Sequence, residues 1–298
     1  MQIEKNMDCQ ARTRLSYLFD DGKYTEINSY AKENDCLTGV VTAYGYVNGN
    51  AVYAFSQDKS INNGAVGPAH AAKIAKLYSL AAKTGTPVIG IHDSNGAFVN
   101  GTAESLTAYG ELINAASVIS GVVPQISVVA GTCAGSAALF ACSSDFIIMT
   151  KDAEFFMTPA FTKENSGSAS DAAANGIAAA VCDDDKAAIE KAKELINLMP
   201  VNNLAPLPMF EYNEPETAVS ADFNSLINGV CDAESIIELY AEFGKASYTA
   251  LATVNGATVG IAATNKTSDK LTDADCSKLS RFIRTCDAFA VPVITFVD

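Results

Sequence analysis

The stretch GVVPQISVVAGTCAGSAALFAC, residues 121–142, decides the fold of this chain. Residues 126–130 (ISVVA) form a short β-branched run without a polar face, which is typical of a strand buried on both sides. Gly131 and Gly135 then flank small residues, and an Ala/Leu/Phe run with helical character follows. A strand that leads through a glycine turn into a helix exposes backbone N–H groups at the helix N-terminus. An oxyanion or a phosphate can be held there.

Two other interpretations stay open for this stretch taken alone. Close packing by itself can demand both glycines. Gly131 and Gly135 also form a GxxxG pattern, in a segment without charge from residue 112 to residue 144. A membrane helix ranks low, because Pro124 and Gln125 interrupt any run of about 20 apolar residues.

The composition limits the classes of function. With 298 residues, 49% of them apolar, the chain can form one large domain or two ordinary ones. A net charge of -14 without clustered Lys and Arg argues against nucleic acid as a partner. The eight cysteines show no metal-binding spacing, so we expect reduced thiols and no metal site. Charges in the first ten residues argue against a signal peptide, so we expect a cytoplasmic protein without direct membrane insertion.

The first half of the chain reads as an α/β pattern. Two alternating runs flank Asn48-Gly49, which predicts a β-hairpin over residues 39–58. Residues 69–83 have helical periodicity, and residues 88–91 (VIGI) form another buried strand. That strand runs into a second polar turn that contains glycine, Ser94-Asn95-Gly96-Ala97.

The second half repeats this pattern. A shift of 207 residues superposes the hairpin on residues 248–264, and a shift of 205 places Lys73 on Lys278 and Pro87 on Pro292. We infer an internal repeat of one hairpin–helix–strand unit. The proline-rich residues 201–220 separate a predicted N-terminal domain, residues 1–200, from the beginning of a second, residues 221–298. The repeat stops before the glycine turns recur, so we expect the chain to be a fragment of a longer protein.

In this order of motifs the chain resembles the carboxyltransferase subunits of biotin-dependent acyl-CoA carboxylases and decarboxylases. The resemblance covers nearly the whole chain and is far more specific than either glycine turn. The motifs that carry it are ARTRLSYLFDDGKYTEIN (11–28), GVVTAYGYVNGNAVYAFSQD (39–58), AHAAKIAKLYSLAAKTGTPVIGIHDSNGA (69–97), SGVVPQISVVAGTCAGSAAL (120–139) and SRFIRTCDAFAVPVITFVD (280–298).

The resemblance implies a fold and a division of labour. Each domain is expected to be a crotonase-like (ClpP/crotonase) spiral of repeated ββα units, here one complete domain and the start of a second. The N-terminal domain is expected to bind acyl-CoA. The C-terminal domain is expected to bind biotin that is carried on a partner, the biotin carboxyl carrier protein. Other carboxylase or decarboxylase subunits and a homo-oligomer are further implied.

The resemblance also implies the residues of the site. Carboxyl transfer passes through a thioester enolate, so negative charge on the thioester oxygen must be stabilised. Gly135 and Ser136 are expected to supply the catalytic oxyanion N–H groups. The residues expected to line the acyl-CoA pocket are Ser94, Asn95, Gly96, Ala97, Phe98, Gly131 and Ala134.

The chain departs from the family pattern at both turns. SNGAF stands where the family has SGGAR, so Asn95 replaces a glycine and Phe98 an arginine. Ser136 replaces a glycine of the second loop, and a backbone N–H survives that change if φ stays negative. Two alternative functions stay open. One is a crotonase-superfamily hydratase, isomerase or thioester hydrolase without biotin, for which Glu104 is the only nearby carboxylate. The other is a degenerate, non-catalytic assembly subunit.

Overall fold

The computed structural model describes residues 9–33, 36–98, 103–158, 166–220, 222–264, 266–267 and 269–297. The helices in these ranges are α1 Gln10–Leu18, α2 Pro68–Thr84, α3 Ala103–Val118, α4 Ser136–Ala141, α5 Ala169–Ala174, α6 Asp185–Leu198, α7 Phe223–Val230 and α8 Asp273–Ala288. The strands are β1 Tyr24–Ile27, β2 Lys32–Glu33, β3 Cys36–Leu37, β4 Val40–Val47, β5 Asn50–Gln57, β6 Val88–Ser94, β7 Gln125–Ala134, β8 Phe146–Thr150, β9 Glu154–Phe156, β10 Ala180–Cys182, β11 Ile237–Leu239, β12 Tyr248–Val254, β13 Ala257–Ala263 and β14 Val293–Phe296.

Two main sheets organise the chain. The larger has the order β1-β4-β5-β6-β7-β8-β10, and β9 pairs with the end of β7. Its first three strands are antiparallel, and the pairs from β5 to β10 are parallel. The smaller sheet has the order β11-β12-β13-β14. The α/β class expected from the sequence is confirmed, with the glycine turns at the carboxyl ends of β6 and β7.

The internal repeat is confirmed at the level of single hydrogen bonds. In the first unit the Tyr53 N–H donates to the Pro87 carbonyl at 3.0 Å. In the second unit the Gly260 N–H donates to the Pro292 carbonyl at 2.8 Å, which is the same bond after the shift. The two halves therefore share strand register as well as element order.

A buried lysine recurs at the same place in both units. Lys73 Nζ donates to the Val40 carbonyl at 2.6 Å, at the start of the first hairpin. Its counterpart Lys278 donates to the Ser247 carbonyl at 3.0 Å, at the start of the second hairpin. Burial lowers the pKa of Lys278 to about 8. Each lysine ties its helix to the hairpin beneath it.

An aspartate clamps each hairpin turn from the loop that leads into β1 or β11, the strand that pairs with the first strand of the hairpin. The Asp20 carboxylate accepts both backbone N–H groups of the Asn48-Gly49 turn, each at 2.9 Å. Asp232 accepts the N–H groups of the Asn255-Gly256 turn at 2.8 and 2.7 Å, and also the Thr253 hydroxyl. All four turn residues have positive φ, as the sequence predicts for two-residue hairpins.

The hydrophobic core continues across the predicted domain boundary. One cluster of buried side chains joins Leu15 and Ile196 of the first unit to Leu239, Leu251 and Phe282 of the second. The division at residues 201–220 stays a prediction. In the described residues, that segment has no helix or strand.

Several elements were not predicted from the sequence. The strands β10 and β11 and the helix α7 are short, and hydrophobic periodicity is weak over so few residues. The prediction that β7 ends at Ala130 was wrong, because the strand continues to Ala134 through an irregularity. The Ser/Ala/Asn/Gly-rich residues 163–182 predict a loop followed by a small helix, and residues 163–165 of that segment lie outside the described residues.

We expect the two aspartate clamps to differ in their contribution to stability. Asp232 is 2% exposed, so Asp232→Ala leaves buried donors without partners and should lower the free energy of unfolding by roughly 2–4 kcal/mol. Asp20→Ala removes the same kind of contact at an exposed turn, where water replaces it, and should cost less than about 1 kcal/mol. Urea denaturation of both variants checks this, and equal losses would contradict it.

Candidate functional site

A bulge in β7 lies directly beneath the two glycine turns. His92 of β6 pairs with Val129, but Ser94 pairs with Cys133, so three residues of β7 oppose the single residue Asp93. The bulged residues are 130–132. A bulge frees backbone groups from the ladder and redirects the strand that carries it. Here it directs the end of β7 toward the end of β6.

The Asp93 carboxylate occupies the space inside this bulge. One oxygen accepts the Thr132 N–H at 3.2 Å and the other accepts from Arg14 Nη1 at 3.0 Å. A Cβ at Gly131 would lie 2.3 Å from the Asp93 carboxylate, which no real structure tolerates. This close approach accounts for Gly131, which the sequence analysis placed in the acyl-CoA pocket.

Arg14 of α1 completes the bulge from the other side. Its Nη2 donates to the Ala130 carbonyl at 3.0 Å, and its Nε donates to Asp185 at the start of α6 at 2.7 Å. Two backbone groups of the bulge are therefore satisfied, the Thr132 N–H by Asp93 and the Ala130 carbonyl by Arg14. The Arg14 side chain is only 5% exposed, and removing one partner of such a buried pair typically costs about 3–5 kcal/mol.

The second glycine turn follows the bulge. Gly135 has φ 60° and ψ −127°, a conformation that requires glycine, and Ser136 begins α4. The Gly135 N–H donates to the Phe156 carbonyl at 2.8 Å. In this geometry Gly135 is not a free oxyanion donor, which differs from the sequence expectation. Its role is to turn the chain so that the Ser136 N–H stands at the N-terminus of α4.

The first glycine turn packs against the second. A Cβ at Gly96 would lie 2.8 Å from the Ala134 carbonyl and 4.0 Å from the Gly135 Cα. The Ser94 hydroxyl accepts the Gly96 N–H at 3.1 Å and closes the turn. The sequence-predicted residues of both turns are therefore brought together.

Two backbone donors remain at this junction. Val66 bonds to the residues on both sides of Ala97, so the Ala97 N–H points away from that bridge. Within the described ranges, neither the Ala97 N–H nor the Ser136 N–H has a hydrogen-bond partner. Both residues are half-buried. Two unpaired N–H groups on adjoining turns can hold one oxyanion.

The departures from the family pattern keep the backbone intact. Neither Asn95 nor Ser136 has positive φ, so neither position requires glycine. The Asn95 N–H donates to the Asn63 carbonyl, and the Phe98 N–H donates to the Val66 carbonyl. Asn95 is exposed and Phe98 is half-buried at the edge of the first turn.

Burial or ion pairing restricts most of the described titratable side chains around the turns, and Asp93 is held by Arg14. Burial lowers the pKa of His92 to about 3, and burial with the nearby charge of Lys73 lowers that of His70 to about 3. Burial also raises the pKa of the Cys133 thiol. Glu104, in the first turn of α3, is exposed. The reactive groups left at the junction are the backbone donors.

The sequence analysis missed two residues near the turns. The Tyr109 hydroxyl is buried beside Ser94 without a hydrogen bond of normal length. Lys59, which is half-exposed, donates to the Thr132 hydroxyl at 3.1 Å and lies 3.7 Å from Asp93. Neither residue belongs to a motif, so only the fold brings them to the site.

Metal-binding clusters and membrane-spanning helices are two further features that could indicate a site. No group of three His, Cys, Asp or Glu side chains in these ranges is placed to hold a metal ion. Among the described helices, none is both long and apolar enough to span a membrane.

Comparison with known proteins decides the family. The model of the carboxyl transferase domain matches residues 8–298. The chain belongs to the carboxyl transferase domain family. The α subunit of methylmalonyl-CoA decarboxylase from Propionigenium modestum is 35% identical over 97% of this chain and 63% of its own length. The mitochondrial propionyl-CoA carboxylase β chain from Rattus norvegicus is 33% identical over 97% and 61%.

A solved carboxyltransferase shares the fold. Transcarboxylase 12S, a hexamer crystallised with methylmalonyl-CoA and methylmalonic acid, superposes with a TM-score of 0.89 at 31% identity. The match covers 97% of this chain and 63% of that one. The crotonase-like fold expected from the sequence is confirmed. The chain spans less than two thirds of the length of these relatives.

We expect opposite effects on stability when a glycine in the bulge and a glycine on an open helix face are each replaced by alanine. Gly131→Ala places a methyl group against the Asp93 carboxylate and should destabilise the fold by roughly 2–4 kcal/mol. Gly110→Ala, on the exposed face of α3 with nothing within 4 Å of the new methyl group, should stabilise it by about 0.5–1 kcal/mol. Thermal and urea unfolding measure both. A neutral Gly131→Ala would show that the carboxylate does not fix the bulge.

The neutral state of His92 predicts a pH dependence of stability. Between pH 6.5 and about 3 the unfolded chain binds a proton at this residue that the folded chain does not, so stability falls as the pH falls. The slope from His92 is up to about 1.4 kcal/mol per pH unit. We expect His92→Gln to reduce the slope of unfolding free energy against pH between pH 6 and 4.5, whatever its effect at pH 7. An unchanged slope would mean that His92 is charged in the folded protein.

Proposed function

We propose that the two glycine turns bind the thioester of an acyl-CoA, and that this chain is the acyl-CoA-binding part of a biotin-dependent carboxyltransferase. The observation that carries the proposal is the pair of unpaired N–H groups, Ala97 and Ser136, on turns in direct contact. Family membership and the named reactions of the relatives support the substrate class.

The geometry suits an enolate intermediate. When the bond between the α-carbon of the acyl group and the transferred carboxyl forms or breaks, negative charge collects on the thioester oxygen. The Ala97 and Ser136 N–H groups would donate to that oxygen and stabilise the charge more than they stabilise the neutral thioester. Ser136 begins α4, whose N-terminal partial positive charge acts in the same direction.

The state of the described side chains at the junction agrees with this reaction, because the Asp93 carboxylate is held in its ion pair with Arg14. A hydratase or isomerase requires a carboxylate or an imidazole that moves a proton at the α- or β-carbon. Among the described residues near the turns, His92 is buried and neutral and Glu104 is exposed. Stabilisation by backbone donors is therefore the better explanation of the site.

Biotin enters this proposal as a group that a partner protein carries. It would supply or accept the carboxyl group. The smaller sheet ends at β14, and the described part of the second unit has no pair of glycine turns, so no residue of this chain is assigned to biotin. A biotin carboxyl carrier protein, further carboxylase or decarboxylase subunits, a homo-oligomer and a cytoplasmic location remain part of the proposal.

A substitution that removes one N–H tests the oxyanion role. Ser136 is the first residue of α4, a position where proline is compatible with the helix. Proline there removes the backbone N–H. In the complex that contains this chain, Ser136→Pro should lower kcat/KM for methylmalonyl-CoA decarboxylation by about 100- to 1000-fold. Ser136→Ala keeps the N–H and should stay within about threefold of the wild type, which makes it the matched control.

Two outcomes would contradict the proposal. If Ser136→Pro folds and keeps its activity, the Ser136 N–H is not an oxyanion donor. If the wild-type complex neither binds nor turns over methylmalonyl-CoA or propionyl-CoA, the function itself is wrong. Circular dichroism and calorimetric titration with propionyl-CoA separate a folding defect from a loss of transition-state stabilisation.

A further inference from the structure

A second site lies outside the glycine turns, where α8 packs on the first unit. A cavity of about 800 Å³ opens there, near the beginning of β7 and β8. Among the described residues that line it, none belongs to either glycine turn, and Cys142 at its rim stands about 9 Å along α4 from Ser136. The cavity is therefore separate from the proposed acyl-CoA site. Its lining includes Arg281, Arg284, Ser120, Ser143 and Asp145.

Two of the four arginines of the chain line this cavity. The other two pair with carboxylates, Arg12 with Glu26 and Arg14 with two aspartates. Among the described residues no carboxylate lies within salt-bridge distance of Arg281 or Arg284. In a chain with a net charge of -14, two arginines without a carboxylate partner in one cavity are unusual.

Most donors of both guanidinium groups are available. Arg284 donates only through Nε, to the Ser280 carbonyl of its own helix at 3.3 Å. Arg281 donates from Nη1 to the Gly176 carbonyl at 3.3 Å and lies over the Tyr240 ring at 5.4 Å from its centroid. Residues three apart on a helix share a face, so both groups can reach one ligand.

The arginines are not needed to neutralise the helix ends at the cavity. The C-termini of α4 and α5 lie at its rim, and their carbonyl ends carry partial negative charge. Amides of the following turns already satisfy carbonyls at these ends. The bonds run from Ser143 N–H to the Phe140 carbonyl, from Ser144 N–H to the Ala141 carbonyl and from Gly176 N–H to the Ala173 carbonyl.

One carboxylate lines the cavity and opposes the arginines. Asp145 accepts the Gln125 N–H at 2.8 Å, and burial raises the pKa of Asp145 to about 6. Two guanidinium charges against one carboxylate leave the side chains of the cavity with net positive charge. The hydroxyls of Ser120 and Ser143 have no hydrogen-bond partner among the described residues and add neutral donors.

We propose that this cavity binds a small metabolite that carries oxyanion groups, a phosphate ester or a polycarboxylate, through Arg281 and Arg284. Guanidinium groups match both kinds of anion through paired N–H donors. No aromatic residue is among the described residues that line the cavity. A ligand at this site would contact both structural units at once.

Calorimetric titration with pyrophosphate and with citrate, at constant ionic strength set by sodium chloride, tests the proposal. Saturable binding of either anion is expected, and the anion that binds identifies the class. Arg284→Gln should weaken it at least 10-fold. Lys76→Gln is the matched control. Lys76 is the counterpart of Arg281 in the first repeat unit and lies outside the cavity, so this variant removes one positive charge without changing the site. Its binding should stay within twofold of the wild type. Asp145→Asn keeps an acceptor for Gln125 and should strengthen binding severalfold.

The proposal is overturned if neither anion binds saturably to the wild type. It is also overturned if Arg284→Gln and Lys76→Gln bind equally, because binding then reflects the surface charge of the whole chain. Arg284 makes one hydrogen bond within its own helix, so its substitution is expected to leave the fold intact, and urea unfolding checks this.

Discussion

The ion pair between Arg14 and Asp93 is the interaction on which the arrangement of the site depends. It fills the bulge in β7 and satisfies two backbone groups of the bulge, the Thr132 N–H and the Ala130 carbonyl. Without that bulge, β7 would continue straight past the end of β6, and the two glycine turns would not meet. A buried pair of this kind adds little net stability compared with apolar packing. Its value here lies in fixing one geometry.

The repeat explains where the rest of the stability comes from. Each unit carries an aspartate that clamps the hairpin, a buried lysine that ties the helix to it, and the same parallel register with the next strand. The first unit has elements beyond this repeat. Its strand β7, with the bulge, and its helix α4 complete the two glycine turns. These repeated contacts therefore hold the hairpins, helices and strands in place, and with them the backbone N–H groups of the glycine turns.

The sequence predicted the elements with strong periodicity or strong turn chemistry, which include both hairpins, α2 and the buried parallel strands β6 and β7. It predicted both turns but not how they meet. The bulge depends on contacts between residues 79 and 116 positions apart, Arg14 with Asp93 and with the Ala130 carbonyl, which no local pattern reveals. For the same reason the sequence assigned Gly131 to a ligand, and it assigned the free donor to Gly135 although Phe156 takes that N–H.

A structure of the protein with a non-reactive acyl-CoA analogue bound tests the central claim most directly. We expect the thioester oxygen within about 2.7–3.1 Å of both the Ala97 and the Ser136 nitrogens, with the Gly135 N–H still donating to the Phe156 carbonyl. The Arg14–Asp93 pair should be unchanged beneath them. A thioester bound elsewhere, or held by side chains while both of these N–H groups remain unpaired, would contradict it.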